Sequence, residues 1–284
     1  MLNLCDVHTV KTLLEEAGFH FSKSKGQNFL IADWVPRRIA EESGADAASG
    51  VLEIGPGFGA LTQQLCLRAG KVVAVEVDRS LRPVLDRTVG SFENLELLFA
   101  DALQLDLAAL TRERFAGLRP LACANLPYYI TSPVLTKLLE SKAFASVTVM
   151  VQKEVAQRIC AAPGTPDYSA FTVFCQYHAI PEILFDVPPS CFLPQPKVTS
   201  AVLTLKTRTE PPCRIADEAL FFRVVRAAFA QRRKTLPNAL TAGFPEQTKE
   251  ALTELIISCG HKPTVRGETL SIPDFAALAN RLAE

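Results

Sequence analysis

Short apolar runs alternate with segments of helical periodicity over most of the chain. Apolar runs of about four to eight residues are typical of strands that are buried on both faces of a sheet. Amphipathic segments between such runs favour crossover helices, and therefore a parallel sheet with helices on both faces. The pattern predicts strands at Val51–Ile54, Lys71–Asp78, Leu95–Phe99, Pro120–Ala124 and Val147–Val151, and again at Ala179–Phe185 and Ala201–Lys206.

Helices are predicted between these strands and after the last of them. The first includes Val10 and is closed by Gly18, and others cover residues 34–42, 60–68, 81–88 and 133–140 and a segment that ends at Ile159. From Asp217 onward the pattern is helical, and the Pro211-Pro212 pair before it is typical of a linker. We therefore expect two domains, residues 1–210 containing the sheet and residues 211–284 forming a smaller all-helical domain.

The first predicted strand runs into a glycine-dense turn, Gly55-Pro56-Gly57-Phe58-Gly59, and a helix follows. A strand, a glycine turn and a helix in this order mark the place where α/β folds hold nucleotides. Glycine has no Cβ, so it permits a positive φ and lets the backbone come into contact with a ligand. Alone the pattern is weak evidence, because an ordinary strand-to-helix turn has the same appearance.

Polar residues at three later strand ends narrow the choice of ligand. Glu76 ends the second strand, where its two oxygens can hold a ribose diol, and this suits NAD and S-adenosylmethionine equally. Asp101 follows the third strand, where a carboxylate can accept from the amine of an adenine. The fourth strand ends in Asn125-Leu126-Pro127-Tyr128, which has no use in hydride transfer but suits methylation of an amine. Together they favour S-adenosylmethionine.

The Asn125–Tyr128 segment suits an adenine amine for a chemical reason. That nitrogen is a poor nucleophile because its lone pair is delocalised into the ring. If the Asn125 side-chain oxygen and the backbone carbonyl of Leu126 or Pro127 accept its two N–H groups, the lone pair is directed at the methyl donor. Tyr128 offers a ring for stacking, worth about 1–3 kcal/mol per base. This is catalysis by alignment, which requires no metal. A plain turn with a buried tyrosine is the alternative.

Composition indicates an ordinary globular enzyme. The 284 residues have no net formal charge, and the eight cysteines are scattered without a Cys-x-x-Cys pair, so neither a disulfide framework nor a metal site is predicted. The N-terminus lacks the pattern of a signal peptide, and no apolar run reaches the roughly 18 residues that a membrane span needs. We expect a cytoplasmic protein that does not enter membranes.

One stretch of the chain has an unbalanced charge. Between Ala219 and Pro245 there are five basic residues and no acid. A solvated helix face is the usual explanation of such a run, but the absence of acids favours contact with RNA phosphates. The five residues are Arg223, Arg226, Arg232, Arg233 and Lys234.

Several motifs together resemble the small-subunit ribosomal RNA adenine N6,N6-dimethyltransferases, over about residues 20–280. The motifs are Gly26-Gln27-Asn28-Phe29-Leu30, Glu53-Ile54-Gly55-Pro56-Gly57, Asn125-Leu126-Pro127-Tyr128, Gln152-Lys153-Glu154-Val155-Ala156, Pro194-Gln195-Pro196-Lys197-Val198-x-Ser200-Ala201-Val202 and residues 228–236. The resemblance implies a Rossmann-like S-adenosylmethionine-dependent methyltransferase sheet followed by a small all-α RNA-binding domain. It also implies methylation of N6 of two adjacent adenosines near the 3′ end of small-subunit rRNA, within an immature small subunit, by a monomer.

The same resemblance assigns roles to individual residues. For the cofactor, S-adenosyl-L-methionine, it implies binding by Asn28, Leu30, Gly55, Glu76, Asp101 and Asn125. For the target base it implies contacts from Asn125, Leu126, Pro127, Tyr128 and Phe192, where Phe192 would stack on the face opposite Tyr128. An aromatic residue before a proline-rich turn is more often part of a core, so Phe192 has two interpretations.

Two other functions remain open at this point. A methyltransferase of large-subunit rRNA would share the sheet, but the long helical C-terminus with Arg232-Arg233-Lys234-Thr235-Leu236 speaks against it. A non-catalytic ribosome-assembly factor could use the same fold to bind RNA. Intact Glu76, Asp101 and Asn125 favour an enzyme.

Overall fold

A computed structural model of the protein describes residues 2–16 and 28–284. The chain forms two compact units. The first, which we call the sheet unit, comprises residues 1–156 and 181–207. The second, the helical unit, comprises residues 157–180 and 208–284. The predicted helix end at Gly18 and the Lys23–Gln27 part of the arm lie outside the described residues.

The sheet unit contains a seven-stranded sheet. Its strands are β2 (Ser49–Ile54), β3 (Lys71–Glu76), β4 (Leu95–Phe99), β5 (Arg119–Asn125), β6 (Ser146–Gln152), β7 (Ala179–Val187) and β9 (Ser200–Thr207). They lie side by side in the order β4-β3-β2-β5-β6-β9-β7. Strands β2 to β6 pair in parallel, and β9 pairs with β6 in the antiparallel direction. The chain moves to β3 on one side of β2 and later to β5 on the other, so the carboxyl end of β2 is the switch point where such sheets bind ligands.

The middle strands are buried along nearly their whole length, and most of their residues are apolar, although β2 also contains Ser49 and Glu53. All six residues of β2 are buried, and so are five of the six in β3. Side chains of β2 and its neighbours pack against the two helices at residues 34–42 and 60–66, in which Val35, Ile39 and Leu65 are fully buried. The helices of this unit are α1 (Val7–Glu16), α2 (Trp34–Glu42), α3 (Ala60–Cys66), α4 (Arg82–Thr88), α5 (Leu107–Arg114) and α6 (Thr131–Glu140), and α7 (Lys153–Ile159) begins in it.

A second, two-stranded sheet lies beside the glycine turn. Strand β1 (Phe29–Leu30) pairs antiparallel with β8 (Phe192–Leu193), so Leu30 lies opposite Phe192. The aromatic ring of Phe29 stacks on that of Phe58, with the ring centroids 3.8 Å apart. The end of the N-terminal arm and the proline-rich loop are thereby held next to the carboxyl end of β2.

The helical unit has its own core. Its helices are α8 (Ala170–His178), α9 (Glu218–Ala230), α10 (Leu236–Gly243), α11 (Lys249–Ser258) and α12 (Ile272–Leu282). Side-chain caps begin several of them: Asp217 accepts from the amides of Ala219 and Leu220, and Ser271 forms a capping box with Asp274. Buried residues of α8, α9, α10, α11 and α12 form one apolar cluster.

The sequence located the sheet strands to within two residues at each end, but two features differ from the prediction. Strand β9 runs antiparallel to β6, whereas the pattern predicted a parallel sheet. The helical unit also includes residues 157–180, which the predicted division at 210/211 assigned to the sheet domain. Within the described parts of the chain, no helix has the length and apolar character needed to cross a membrane.

Candidate active site

A cavity of about 400 Å³ opens at the carboxyl ends of the parallel strands, within the sheet unit. It brings together most of the residues that the sequence singled out. The lining includes Asn28, Leu30, Gly55, Glu76, Asp101, Asn125, Leu126, Pro127, Tyr128 and Phe192. The cavity therefore joins the predicted cofactor residues to the predicted target-base residues.

The glycine turn forms one wall of this cavity, and its three glycines differ in the space that a side chain would have. Gly55, Gly57 and Gly59 have φ of +71°, +58° and +89°. A Cβ at Gly59 would lie 2.7 Å from a methyl group of Val89, and one at Gly57 would lie 3.1 Å from the Phe29 ring. A Cβ at Gly55 would meet nothing within 4 Å. A Cβ at Gly59 would therefore clash, one at Gly57 would make a tight contact with the Phe29 ring, and Gly55 faces open space at the cavity wall.

Glu76 lies at the end of β3 with its carboxylate beside the glycine turn. Its Oε1 accepts from the amide of Asp78 at 2.8 Å, and its Oε2 accepts from the amide of Gly57 at 3.4 Å. Burial raises the pKa of Glu76, and the hydrogen bonds from these two amides act in the opposite direction. A carboxylate has about four lone-pair sites in all, so these bonds orient the side chain and still leave it able to accept from a diol.

Asp101 follows β4 and is exposed at the cavity. Its Oδ1 accepts from the amide of Leu103 at 2.9 Å, which is a local turn that fixes the side chain. The second oxygen stays available to accept from an amine at the cavity.

Asn125 ends β5, opposite Met150 of β6, and the next residues turn into α6. The amide of Leu126 donates to the carbonyl of Met150 at 3.3 Å. Pro127 has an extended backbone, with φ −56° and ψ 132°, and it leads into a single 3₁₀ turn that contains Tyr128. The tyrosine hydroxyl lies 2.8 Å from the hydroxyl of Ser200. Burial raises the pKa of Tyr128, so the phenol is neutral at physiological pH.

Phe192 has a position that fits both of its interpretations. It is only 1% exposed and packs in the core with Leu30 and Cys191, yet it also lines the cavity. Leu30 of β1, and Asn28 immediately before that strand, also line the cavity.

Glu53, which belongs to the motif Glu53-Ile54-Gly55-Pro56-Gly57 but was given no role by sequence reasoning, is a buried carboxyl group among the residues that line the cavity. It is 1% exposed, and its Oε2 has no hydrogen-bond partner among the described residues. Burial raises the pKa of Glu53 to about 8, and the neighbouring Glu76 raises it further, while the Thr62 hydroxyl lowers it. At neutral pH a carboxyl group with this pKa is mostly protonated, so it carries an O–H donor as well as an acceptor oxygen.

The residues present fit S-adenosylmethionine. Open space at Gly55 leaves room for a ligand to approach the backbone. Oriented carboxylates at Glu76 and Asp101 suit a ribose and an adenine. Within the described residues no group of three or more His, Cys, Asp or Glu side chains is arranged to hold a metal ion.

Two of the five basic residues predicted to bind RNA are tied to other parts of the helical unit. Arg223 donates to the carbonyl of Gly243 at 2.9 Å, pairs with Glu246 at 2.8 Å and lies over the ring of Phe244. Arg232 donates to the carbonyl of Pro166 at 2.8 Å and pairs with Glu268 at 3.3 Å. The acids that balance these arginines lie outside the basic run in sequence.

The other three basic residues are exposed and available. Arg226 lies on α9, and Arg233 and Lys234 lie in the turn between α9 and α10. None of them makes an ion pair with any residue that the structure describes. They form the part of the basic run that can meet a phosphate.

Sequence reasoning gave no role to several residues at the site. Leu4 of the N-terminal segment lines the cavity, and no local signal indicates this. Ser200 contacts Tyr128 across 72 positions of sequence, and the only signal was its place in the Pro194–Val202 motif. Tyr129 lines the cavity and is 64% exposed.

The fold and this cavity define a Rossmann-like methyltransferase, because the glycine turn, Glu76, Asp101 and the Asn125–Tyr128 turn all meet at the switch point of the sheet. The family model for ribosomal RNA adenine dimethylase matches residues 18–283. The chain therefore belongs to the ribosomal RNA adenine dimethylase family, which makes it an S-adenosylmethionine-dependent rRNA methyltransferase.

Individual relatives agree with the family match. The chain is 46% identical to ribosomal RNA small subunit methyltransferase A of Geobacillus kaustophilus (strain HTA426) over 277 residues, which cover 96% of this chain and 94% of the relative. It is 44% identical to the protein of the same name from Alkaliphilus oremlandii (strain OhILAs), with 96% of each chain covered.

Two solved structures share the architecture. A dimethyladenosine transferase from Plasmodium falciparum has a TM-score of 0.73 at 25% identity, with 88% of this chain and 95% of that chain covered. The 23S rRNA methyltransferase ErmE has a TM-score of 0.69 at 26% identity, with 90% of this chain and all of that chain covered. Of these four proteins, the two named as small subunit methyltransferases have the higher sequence identity to this chain.

Proposed function

We propose that this protein transfers methyl groups from S-adenosylmethionine to N6 of two adjacent adenosines near the 3′ end of small-subunit rRNA, giving N6,N6-dimethyladenosines. Its substrate would be rRNA within an immature small ribosomal subunit, and the protein would act as a monomer in the cytoplasm. The observation that carries the proposal is one cavity lined both by Gly55, Glu76 and Asp101 and by the turn from Asn125 to Tyr128.

In this proposal the cofactor is held by the carboxyl ends of three neighbouring strands. Glu76 would accept from the ribose hydroxyls, since its oxygens are already oriented by two backbone amides. Asp101 would accept from the adenine amine, and the Gly55 backbone would lie against the methionine part. Asn28 and Leu30 would close the pocket from the small sheet. When bound, S-adenosylmethionine supplies an electrophilic methyl group on a positively charged sulfur.

The chain's own residues then act on the target amine. The Asn125 side-chain oxygen and the carbonyl of Leu126 or Pro127 would accept its two N–H groups and direct the lone pair toward the donor. Tyr128 would stack on the base, and Phe192 would meet its other face. The contribution is alignment of two reactants, which can supply several kcal/mol of the barrier reduction.

RNA would be held outside the pocket by charge. Arg226, Arg233 and Lys234 are exposed and unpaired among the described residues, which supports phosphate contact by this part of the helical unit. Arg223 and Arg232, which make internal bonds, would contribute mainly by holding the surface in shape.

The test is methylation of small-subunit rRNA by the purified protein. Immature small subunits that lack adenine dimethylation would be incubated with isotopically labelled S-adenosylmethionine, and rRNA fragments would be analysed by mass spectrometry. We expect four methyl groups on two adjacent adenosines near the 3′ end, and none on large subunits treated in parallel. Label confined to large-subunit rRNA, or none at all from protein that binds the cofactor, would overturn the proposal.

A pair of asparagine variants tests the role of the turn. Asn125→Ala should bind the cofactor within a few-fold of the wild type, yet its methylation rate should collapse by a factor of 100 or more, on the order of what one aligned polar group contributes. Asn280→Ala is the matched control, because the Asn280 side chain bonds to backbone atoms of Arg214 and Ala216 in the helical unit and does not line the cavity. Near-normal methylation by Asn125→Ala would remove that residue from the mechanism.

A further inference from the structure

Ser200 is the first residue of β9, and the sheet places it beside the active-site turn. It pairs with Gln152 at the end of β6, while Asn125 at the end of β5 lies opposite Met150 two positions earlier in β6. Because β9 runs antiparallel, its first residue lies at the edge where the parallel strands end. The side chain of Tyr128, three positions after Asn125, spans this edge and reaches Ser200.

The contact joins a buried hydroxyl to a half-buried one. Ser200 has no exposed surface, and its Oγ lies 2.8 Å from the Tyr128 hydroxyl, which is an ordinary hydrogen-bond distance. The tyrosine ring lines the cavity, and its hydroxyl lies at the far end of the side chain. A hydrogen bond at that position restricts the rotation of the ring, which has two side-chain torsions.

We propose that Ser200 is a positioning residue, whose hydroxyl holds the ring of Tyr128 in the orientation in which the target base stacks on it. The inference rests on the proposed function, because it concerns the base that enters the same cavity. A ring that is already fixed loses less conformational freedom when a base stacks on it, so more of the stacking energy is realised in the reacting complex.

A second pair of hydroxyls on the same strands provides the comparison that the test requires. Thr148 of β6 and Thr204 of β9 are register partners, and their hydroxyls lie 3.3 Å apart in a buried position. Neither residue lines the cavity. Thr204→Val therefore removes a buried hydroxyl from β9 without touching the active-site turn, and it reports what such a loss does to the strand alone.

The experiment is a double-mutant cycle on single-turnover methylation. Rates would be measured with immature small subunits and saturating labelled S-adenosylmethionine for wild type, Ser200→Ala, Tyr128→Phe, the double variant and Thr204→Val. Cofactor affinity would be measured by calorimetry for each protein. We expect Ser200→Ala and Tyr128→Phe each to slow methylation by roughly 3- to 10-fold, the factor that one neutral hydrogen bond is worth.

The cycle distinguishes positioning of the Tyr128 ring by Ser200 from a general contribution of Ser200 to the stability of β9. If Ser200 acts through Tyr128, Ser200→Ala adds nothing in the Tyr128→Phe background, cofactor affinity stays within about twofold, and Thr204→Val methylates at the wild-type rate. An equal loss from Ser200→Ala in both backgrounds, or a full rate in Ser200→Ala, would overturn the inference. Tyr128→Phe changes only a half-buried hydroxyl, so it supplies a result even if Ser200→Ala is unstable. Failure of the wild type to methylate would count against the proposed function instead.

Discussion

Replacing Gly55 by alanine tests the ligand site most directly, because the added methyl group would lie in the cavity. Gly55 has a φ of +71°, and a Cβ there would meet no protein atom within 4 Å. The substitution therefore costs only the strain of a left-handed residue, about 1–2 kcal/mol. For a domain of this size each kcal/mol lowers the melting temperature by roughly 2–4 °C. The methyl group lies at the cavity wall, so we expect cofactor affinity to fall at least about tenfold, or ~1.4 kcal/mol.

Gly44 provides a control with the same backbone strain. It has a φ of +72°, and a Cβ there would also meet nothing within 4 Å, but it lies on the surface after α2 and outside the cavity. Gly44→Ala and Gly55→Ala should therefore lose similar stability when the cofactor is absent. Only Gly55→Ala should lose affinity.

Calorimetric titration and thermal melts with S-adenosylmethionine give the two readouts. At a ligand concentration of 100 times the wild-type Kd, wild type and Gly44→Ala should gain about 2.7 kcal/mol of stability. A tenfold weaker Kd reduces the gain of Gly55→Ala to about 1.4 kcal/mol. If Gly55→Ala binds as tightly as Gly44→Ala, the cofactor does not lie against this backbone and the assignment of the cavity wall is wrong.

Three further perturbations follow from the contacts described above. Replacing Arg233 and Lys234 together by glutamine should lower the salt dependence of RNA binding by roughly 0.7–0.9 per lost cation, whereas Arg223→Gln should mainly lower the melting temperature. Glu76→Ala should weaken cofactor binding by roughly 10- to 100-fold in calorimetry, because it removes a charged acceptor. Burial raises the pKa of Glu53 from near 4.5 to about 8, so the folded state holds a proton that the unfolded chain releases, and stability should fall as pH rises between those values. Glu53→Gln should flatten that dependence and melt at a higher temperature than the wild type at pH 8.

Each of these has an outcome that would contradict it. An unchanged salt slope in the variant of Arg233 and Lys234 would mean that these cations do not meet phosphate. Wild-type cofactor affinity in Glu76→Ala would remove the ribose assignment. A stability curve for Glu53→Gln that keeps the wild-type slope between pH 5 and pH 8 would show that another group titrates there.

Sequence periodicity located the sheet strands because buried strands need continuous apolar residues. Periodicity could not predict the direction of β9, since an apolar run has the same pattern in a parallel strand and in an antiparallel one. The direction follows only from the pairing of β9 with β6. Helix α8 was not predicted because its start has an unusual cap, in which Ser169 pairs with Thr172 where a glutamate or glutamine is the common signal.

The candidate site was predictable to the extent that its residues occur at strand ends. Gly55, Glu76, Asp101 and Asn125 each follow a recognisable apolar run, so one fold places them together. The partner of Tyr128 could not be predicted this way, because Ser200 comes from a strand that returns to the same edge much later in the chain. Sequence reasoning did not predict that Arg223 pairs with Glu246 and Arg232 with Glu268, because both acids lie beyond the basic run between Ala219 and Pro245.

The helical unit is assembled from two separate pieces of chain, and this limits how the protein can be shortened. Tyr168, Val173 and Tyr177 come from the first piece and are buried in a cluster with residues of α9 and α12. A truncation after residue 207 would leave these apolar side chains without the surface that covers them, and a fragment starting at residue 208 would have a gap in its core. Removing the helical unit while keeping the sheet therefore requires excising the apolar segment around Tyr168, Val173 and Tyr177 as well, while Ala179 and Ile180, which begin β7, are retained.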